Sequence, residues 1–193
     1  MAPRPVIIDC DPGQDDAINL LLAMASPEDL DILGITTVAG NVPLALTERN
    51  TRQICDIAGR TDMPVFAGCD KPMQRELLTA ENVHGSTGID GVALVEPVTP
   101  LAYGDAVDFI IETLLSARTP ITLVPTGPLS NIGTAIQREP TILEHVAEIV
   151  LMGGAMREGG NHSPSAEFNI LVDPHAADIV FRCGRPITVF GLD

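Results

Sequence analysis

The densest run of chemically useful side chains in this sequence is DCDPGQDDA, Asp9 to Ala17, which packs Asp9, Asp11, Asp15 and Asp16 into one short segment. Pro12 and Gly13 suit a sharp turn, and Asp15 and Asp16 fall where a helix start favours negative charge. Capping accounts for one or two of these aspartates. Four carboxylates this close repel one another unless a cation sits among them. All-oxygen ligation suits calcium or magnesium, and a short turn offering several carboxylates tilts towards calcium, which accepts six to eight oxygens.

Further polar residues follow later apolar runs: Asn41, Thr126, and a loop containing Asn161, Glu167 and Asn169. The elements that must position them are read from periodicity. Short β-branched runs at 5–9, 32–38, 64–67, 121–125, 149–152 and 187–190 alternate with helical patterns at 15–25, 43–58, 103–116, 129–137 and 174–182. That alternation predicts an α/β fold, a Rossmann-like open and mostly parallel sheet with helices on both faces. Ligands of such sheets bind outside the carboxyl ends of the strands, which is where these polar residues lie. Two stretches, 68–101 and 153–169, break the rhythm and are rich in Gly, Pro, Asn and His. Long loops inside a compact domain are usually functional or mobile.

Composition narrows the function classes. Against 11 Lys and Arg stand 26 Asp and Glu, a net charge of -15, which disfavours nucleic-acid and anionic-membrane partners. No apolar run approaches the roughly 20 residues of a membrane-spanning helix. Cys10, Cys55, Cys69 and Cys183 are scattered without CxxC spacing and read as reduced thiols, so the expected compartment is the cytoplasm.

Five segments in order, DCDPGQDDA, TTVAGN (36–41), HGSTGIDG (84–91), LVPTGPLSN (123–131) and MGGAMREGGN with AEFNILVDP (152–174), resemble the inosine-uridine preferring nucleoside hydrolase family. Cys10 replaces the family's more usual Thr and points away from Asp11 by strand alternation. The resemblance implies hydrolysis of the N-glycosidic bond of ribonucleosides by a calcium-activated water. It makes Asp11 and Asp16, with the Thr126 carbonyl, the Ca2+ ligands, and Asp11 also the general base. It makes Asp15, Asn41, Asn161, Glu167 and Asn169 the grip on the ribose hydroxyls. Met152 and His84 line the sugar and base sides, His84 with a catalytic role. Such chemistry passes through an oxocarbenium-like sugar, which a carboxylate-rich site stabilises. The implied partners are a ribonucleoside and further copies of the chain, as a dimer or tetramer.

The family's chains are longer, and an adjacent His and Asp of their C-terminal part are absent here. We therefore expect residues 1–193 to form a single, C-terminally incomplete domain with an uncovered apolar sheet face. The alternative to an active hydrolase is a member that only binds ribonucleoside or serves as a subunit. A haloacid-dehalogenase-type phosphohydrolase also places a DxD after its first strand, but Gly13 stands where that class has Thr or Val. Neither GxxxxGK nor GxGxxG follows a strand.

Several residues also carry a plainer reading. Asn41, after an Ala-Gly pair, suits a turn with positive φ. Ser130 and Asn131 read as helix-start residues, and His145, His162 and His175 as surface histidines.

Overall fold

A computed structural model describes residues 2–91 and 95–193. Residues 92–94, within the 68–101 stretch, lie outside the described residues.

Six strands form one sheet: β1 (Arg4–Cys10), β2 (Leu30–Thr37), β3 (Val65–Ala67), β4 (Ile121–Pro125), β5 (Val146–Met152) and β6 (Ile187–Phe190). Their order is β3-β2-β1-β4-β5-β6, and every neighbouring pair is parallel. This is the doubly wound order, whose connections reverse direction between β1 and β4. The crevice at that reversal opens beside Asp9, which pairs with Pro125 in the ladder. The aspartate motif and the 123–131 segment are therefore neighbours although more than a hundred residues separate them.

Parallel strands need crossovers, and the helices supply them: α1 (Gln14–Met24), α2 (Leu44–Ile57), α3 (Glu81–His84), α4 (Ala106–Ser116), α5 (Ser130–Arg138), α6 (Phe168–Val172) and α7 (Pro174–Phe181). Alternation along β1 divides the interior in two. Val6, Ile8 and Cys10 pack with Leu20 of α1, Ile54 and Cys55 of α2, and Met63. Ile7 faces the opposite side, with Ile110 of α4, Leu123 and Ile149 of the sheet, Ile132 of α5 and Val180 of α7. Each fully buried Leu, Ile or Val contributes about 1.5–3 kcal/mol of burial, so both faces at β1 are held firmly.

Strand and helix boundaries follow the sequence expectation closely, with three additions. A 3-10 turn covers Pro140–His145, the short helix α3 lies inside the 68–101 stretch, and the short helix α6 begins at the end of the 153–169 stretch and runs beyond it. Neither helix is long enough to show helical periodicity. The start of α6 is fixed by a side chain instead, Glu167 accepting from the N–H groups of Asn169 and Ile170.

Beyond β1 the α1 side of the sheet is thinly covered. Val124 of β4 and Val150 of β5 are partly exposed. Phe190 on the edge strand β6 is 63% exposed, and Ile18 and Leu22 of α1 are 66% and 67% exposed. Among the described residues no helix is long and apolar enough to cross a membrane.

Candidate active site

The first strand ends in the turn Asp11-Pro12-Gly13, and its carboxylates divide by depth. Asp9, Asp11 and Asp16 are buried, whereas Asp15 is exposed at the cleft mouth. Asp9 points back into the fold: its Oδ1 accepts from the Thr36 hydroxyl at 2.6 Å and from Asn131 Nδ2 at 2.8 Å. Its Oδ2 is buried without a hydrogen-bond partner among the described residues. Burial pushes the Asp9 carboxyl up to about 7, against the lowering effect of those two hydrogen bonds.

Asp11 occupies a cradle of backbone. Its Oδ2 accepts the Asn41 N–H at 2.7 Å, and Asn41 Nδ2 donates to the Asp11 carbonyl at 2.9 Å. A Cβ on Gly40 would collide with Oδ2, and one on Gly127 would lie 2.5 Å from Oδ1. Only glycine lets the chains after β2 and β4 come this near the carboxylate. Burial first, and the charge of Asp16 second, hold the Asp11 carboxyl well above its usual range. Burial also raises Asp16 to about 6, with a hydrogen bond from the Thr126 side chain opposing the rise and the charge of Asp15 adding to it.

Asn41 thus clasps Asp11 from both sides. The plainer reading of this residue is overturned, because no non-glycine residue among the described ones has positive φ. Its place is set by the Asp11 contacts instead.

The loop after β5 forms the opposite wall. Asn169 is buried and donates through Nδ2 to the Thr126 carbonyl at 2.8 Å and the Met152 carbonyl at 3.2 Å, which leaves Oδ1 for a ligand. Glu167 is buried too, but its oxygens already serve the backbone, Oε1 accepting from Asn169 N–H and Oε2 from Gly154 and Ile170 N–H. Asn161 Oδ1 accepts from Phe168 N–H at 2.9 Å, so its amide nitrogen is the end turned to other partners. His84, half-buried on α3, reaches Gln14 through Nδ1.

One cleft of about 230 Å3 is lined by the ten residues to which the family resemblance assigns a role, Asp11, Asp15, Asp16, Asn41, His84, Thr126, Met152, Asn161, Glu167 and Asn169. His162, read from the sequence as a surface residue, also lines it, its ring tilted on Phe168 with centroids 5.5 Å apart. Ala80 and Val83 complete the α3 side. These additions carry no distinctive residue type, so only folding could reveal them. His175 is exposed on α7 as expected.

The donor set around Asp11 and Asp16 is all oxygen: two buried carboxylates, a carbonyl and a hydroxyl. Such a set fits a hard divalent cation, whose charge would offset the crowding that lifts both carboxyls. Among the described residues no three His, Cys, Asp or Glu side chains converge as a complete metal centre. The remaining ligands of an ion here would be backbone, solvent or substrate oxygens.

Comparison with known proteins places this geometry. A family profile described as inosine-uridine preferring nucleoside hydrolase matches residues 6–193. The pyrimidine-specific ribonucleoside hydrolase RihA of Photobacterium profundum is 53% identical over 190 residues, which is 98% of this chain and 61% of that protein. RihA of Escherichia coli O9:H4 is 48% identical over 189 residues, 98% of this chain and 60% of its own length. Among solved structures, the plant nucleoside hydrolase PpNRh1 superposes with a TM-score of 0.93 at 38% identity, covering 98% of this chain and 60% of that one. The purine-preferring ribonucleoside hydrolase from Gardnerella vaginalis gives 0.90 at 36% identity, covering 98% and 61%. The chain therefore spans about three fifths of the length of these relatives. Its sequence over nearly all its length, and the parallel sheet that carries the aspartate turn, make this chain a member of the inosine-uridine preferring nucleoside hydrolase family.

Proposed function

We propose that this chain carries the ribose- and cation-binding side of a ribonucleoside hydrolase, which cleaves the N-glycosidic bond with water to give ribose and a free nucleobase. The observation that carries the reading is the convergence of carboxylates and amides from the ends of β1, β2, β4 and β5 on one cleft.

Asp11 and Asp16, with the Thr126 carbonyl, would hold Ca2+. When bound, the ion supplies Lewis acidity and an oxygen-coordinating template. Asp11 is the general base. Its buried position makes its carboxylate a stronger proton acceptor than an exposed one, which matches the task of taking a proton from water near neutral pH. Asn41 keeps the Asp11 carboxylate in one orientation by donating to it, so the base needs little rearrangement when it acts.

The ribose is gripped by Asp15, by the free Oδ1 of Asn169 and by the amide nitrogen of Asn161. Asn41 and Glu167 support the same pocket from behind, Glu167 through spare lone pairs on the carboxylate that caps α6. Negative charge around the sugar favours the cationic character it gains as the bond to the base breaks. Met152 packs under the sugar and His84 stands on the base side. The protein works in the cytoplasm, and its thinly covered sheet face at Val150 and Phe190 favours assembly into a homo-oligomer.

The test is release of reducing ribose from inosine and from uridine by the 193-residue chain, with calcium and with a chelator. Calcium-dependent release that Asp11→Ala abolishes supports the hydrolase reading. Binding of inosine or uridine without release would support a binding or subunit role for this chain instead.

A further inference from the structure

Gln14 lies inside the aspartate motif, and nothing in the reaction described above uses it. It is exposed at the start of α1, yet its side chain is engaged on both amide atoms with a single residue. Oε1 lies 2.8 Å from His84 Nδ1, and Nε2 lies a long 3.5 Å from the His84 carbonyl. The second contact fixes the sense of the first. Turned over, the amide would set its oxygen against the carbonyl oxygen of His84, two acceptors facing one another. With Nε2 towards the carbonyl, Oε1 can only accept, so Nδ1 of His84 must carry a hydrogen.

The ring cannot easily turn to escape this pairing. Its Nδ1–Cε1 edge lies against the backbone of the aspartate turn, where a Cβ on Gly13 would come within 2.5 Å of Nδ1 and 2.6 Å of Cε1. The helix that carries the ring is itself anchored to the site, since Ala80 N–H donates to the Asn41 carbonyl at 2.9 Å and Asp90 N–H to the His84 carbonyl. Among the described residues Nε2 has no hydrogen-bond partner, and the residue lines the cleft.

We propose that Gln14 is a positioning residue that holds neutral His84 in its Nδ1–H tautomer, so that Nε2 meets the ligand as a hydrogen-bond acceptor. An acceptor here recognises an N–H or O–H group of the ligand, and a lone-pair edge such as a ring nitrogen or carbonyl is met only after His84 is protonated. The tautomer follows from the geometry alone. Only the identity of the ligand rests on the ribonucleoside reading.

Long-range proton–nitrogen correlation spectra of the 15N-labelled 193-residue chain, recorded with the imidazoles neutral, read the tautomer directly. The His84 signals are identified by their loss in His84→Asn. The expected pattern is a pyrrole-like Nδ1 and a pyridine-like Nε2 in the native chain. Gln14→Leu, an exposed substitution, is expected to shift His84 towards the Nε2–H form, and Gln14→Glu, which keeps an acceptor in place, to restore the Nδ1–H form. An Nε2–H tautomer in the native chain, or no change in Gln14→Leu, overturns the proposal. Uridine and inosine are then added with calcium. If neither moves the His84 Nε2 signal while the tautomers behave as expected, the ribonucleoside reading fails and the positioning role of Gln14 stands.

Discussion

At the scale of single residues, the site is governed by how closely backbone approaches one carboxylate. Asp11 is enclosed by Gly40, Gly127 and the Asn41 N–H, so its orientation is fixed before any ligand arrives. Asp11→Asn keeps the side chain's shape but removes the proposed base, and we expect ribose release to fall about 10²–10⁴-fold, the usual worth of a positioned proton acceptor. Gly127→Ala tests the cradle separately. The new methyl must displace the carboxylate, and calorimetry should show calcium binding weakened about 10–100-fold, as when groups that orient a ligand are disturbed. Unchanged calcium affinity in Gly127→Ala would mean that Asp11 has room the structure does not show.

At the scale of elements, buried and loop polar side chains tie segments together that are far apart in the chain. Asn131 in the first turn of α5 donates to Asp9 Oδ1 and to the Thr37 carbonyl at 3.0 Å, and its own Oδ1 accepts Cys69 N–H at 2.8 Å. Reading it as a helix-start residue locates it correctly but misses this work. Asn131→Ala strands several buried groups, each costing about 1–3 kcal/mol, and thermal melts should fall by about 2–4 °C for every kcal/mol lost. The loop between β5 and α6 is fastened in a comparable way. Glu167 takes the Gly154 N–H at one end, while Asp193 takes the N–H groups of Met156, Arg157 and Glu158. The Asp193 carboxyl is lowered accordingly, led by the Glu158 contact. Glu167→Gln sets an amide NH2 against at least one of the backbone N–H groups that the carboxylate now serves, leaving a buried donor unsatisfied. It should lower the melting temperature and, through the loosened loop, raise the KM for ribonucleoside.

At the scale of the whole molecule, the buried carboxylates set how stability responds to pH. The folded pKa values of Asp9 and Asp16, about 7 and about 6, lie above the unfolded value of an aspartate, so the folded state binds protons more tightly. The stability these two groups contribute is fully present below about pH 4 and is lost as pH rises through 6 and 7. With a chelator present, melts of the chain should fall between pH 5 and pH 7.5, and Asp9→Asn should flatten that slope. Calcium should raise the melt at pH 7.5 more than at pH 5, because only the ionised carboxylates attract it. The thinly covered sheet face acts at the same scale. Phe190, Ile18 and Leu22 are exposed apolar side chains, and sedimentation should show an assembly that Phe190→Lys with Leu22→Lys weakens.

The sequence by itself determined the kinds of element, their alternation and the family, because strand and helix periodicities are local and the five motifs keep their residue types and order. It also marked the aspartates and asparagines of the cleft, since crowded carboxylates after a strand are chemically conspicuous. What only the tertiary structure decided is which of them face one another. Asp9 and Asp11 differ by two positions, yet one is turned into the fold towards Asn131 and the other towards the cleft, because β1 ends at Cys10 between them and Asp11 has left the strand. The joint use of Glu167 by three N–H groups, the place of His162 at the cleft wall and the pairing of Gln14 with His84 were equally illegible. Each depends on loops whose ends are fixed by strands far apart in the chain, and no local pattern of residues encodes a distance of that kind.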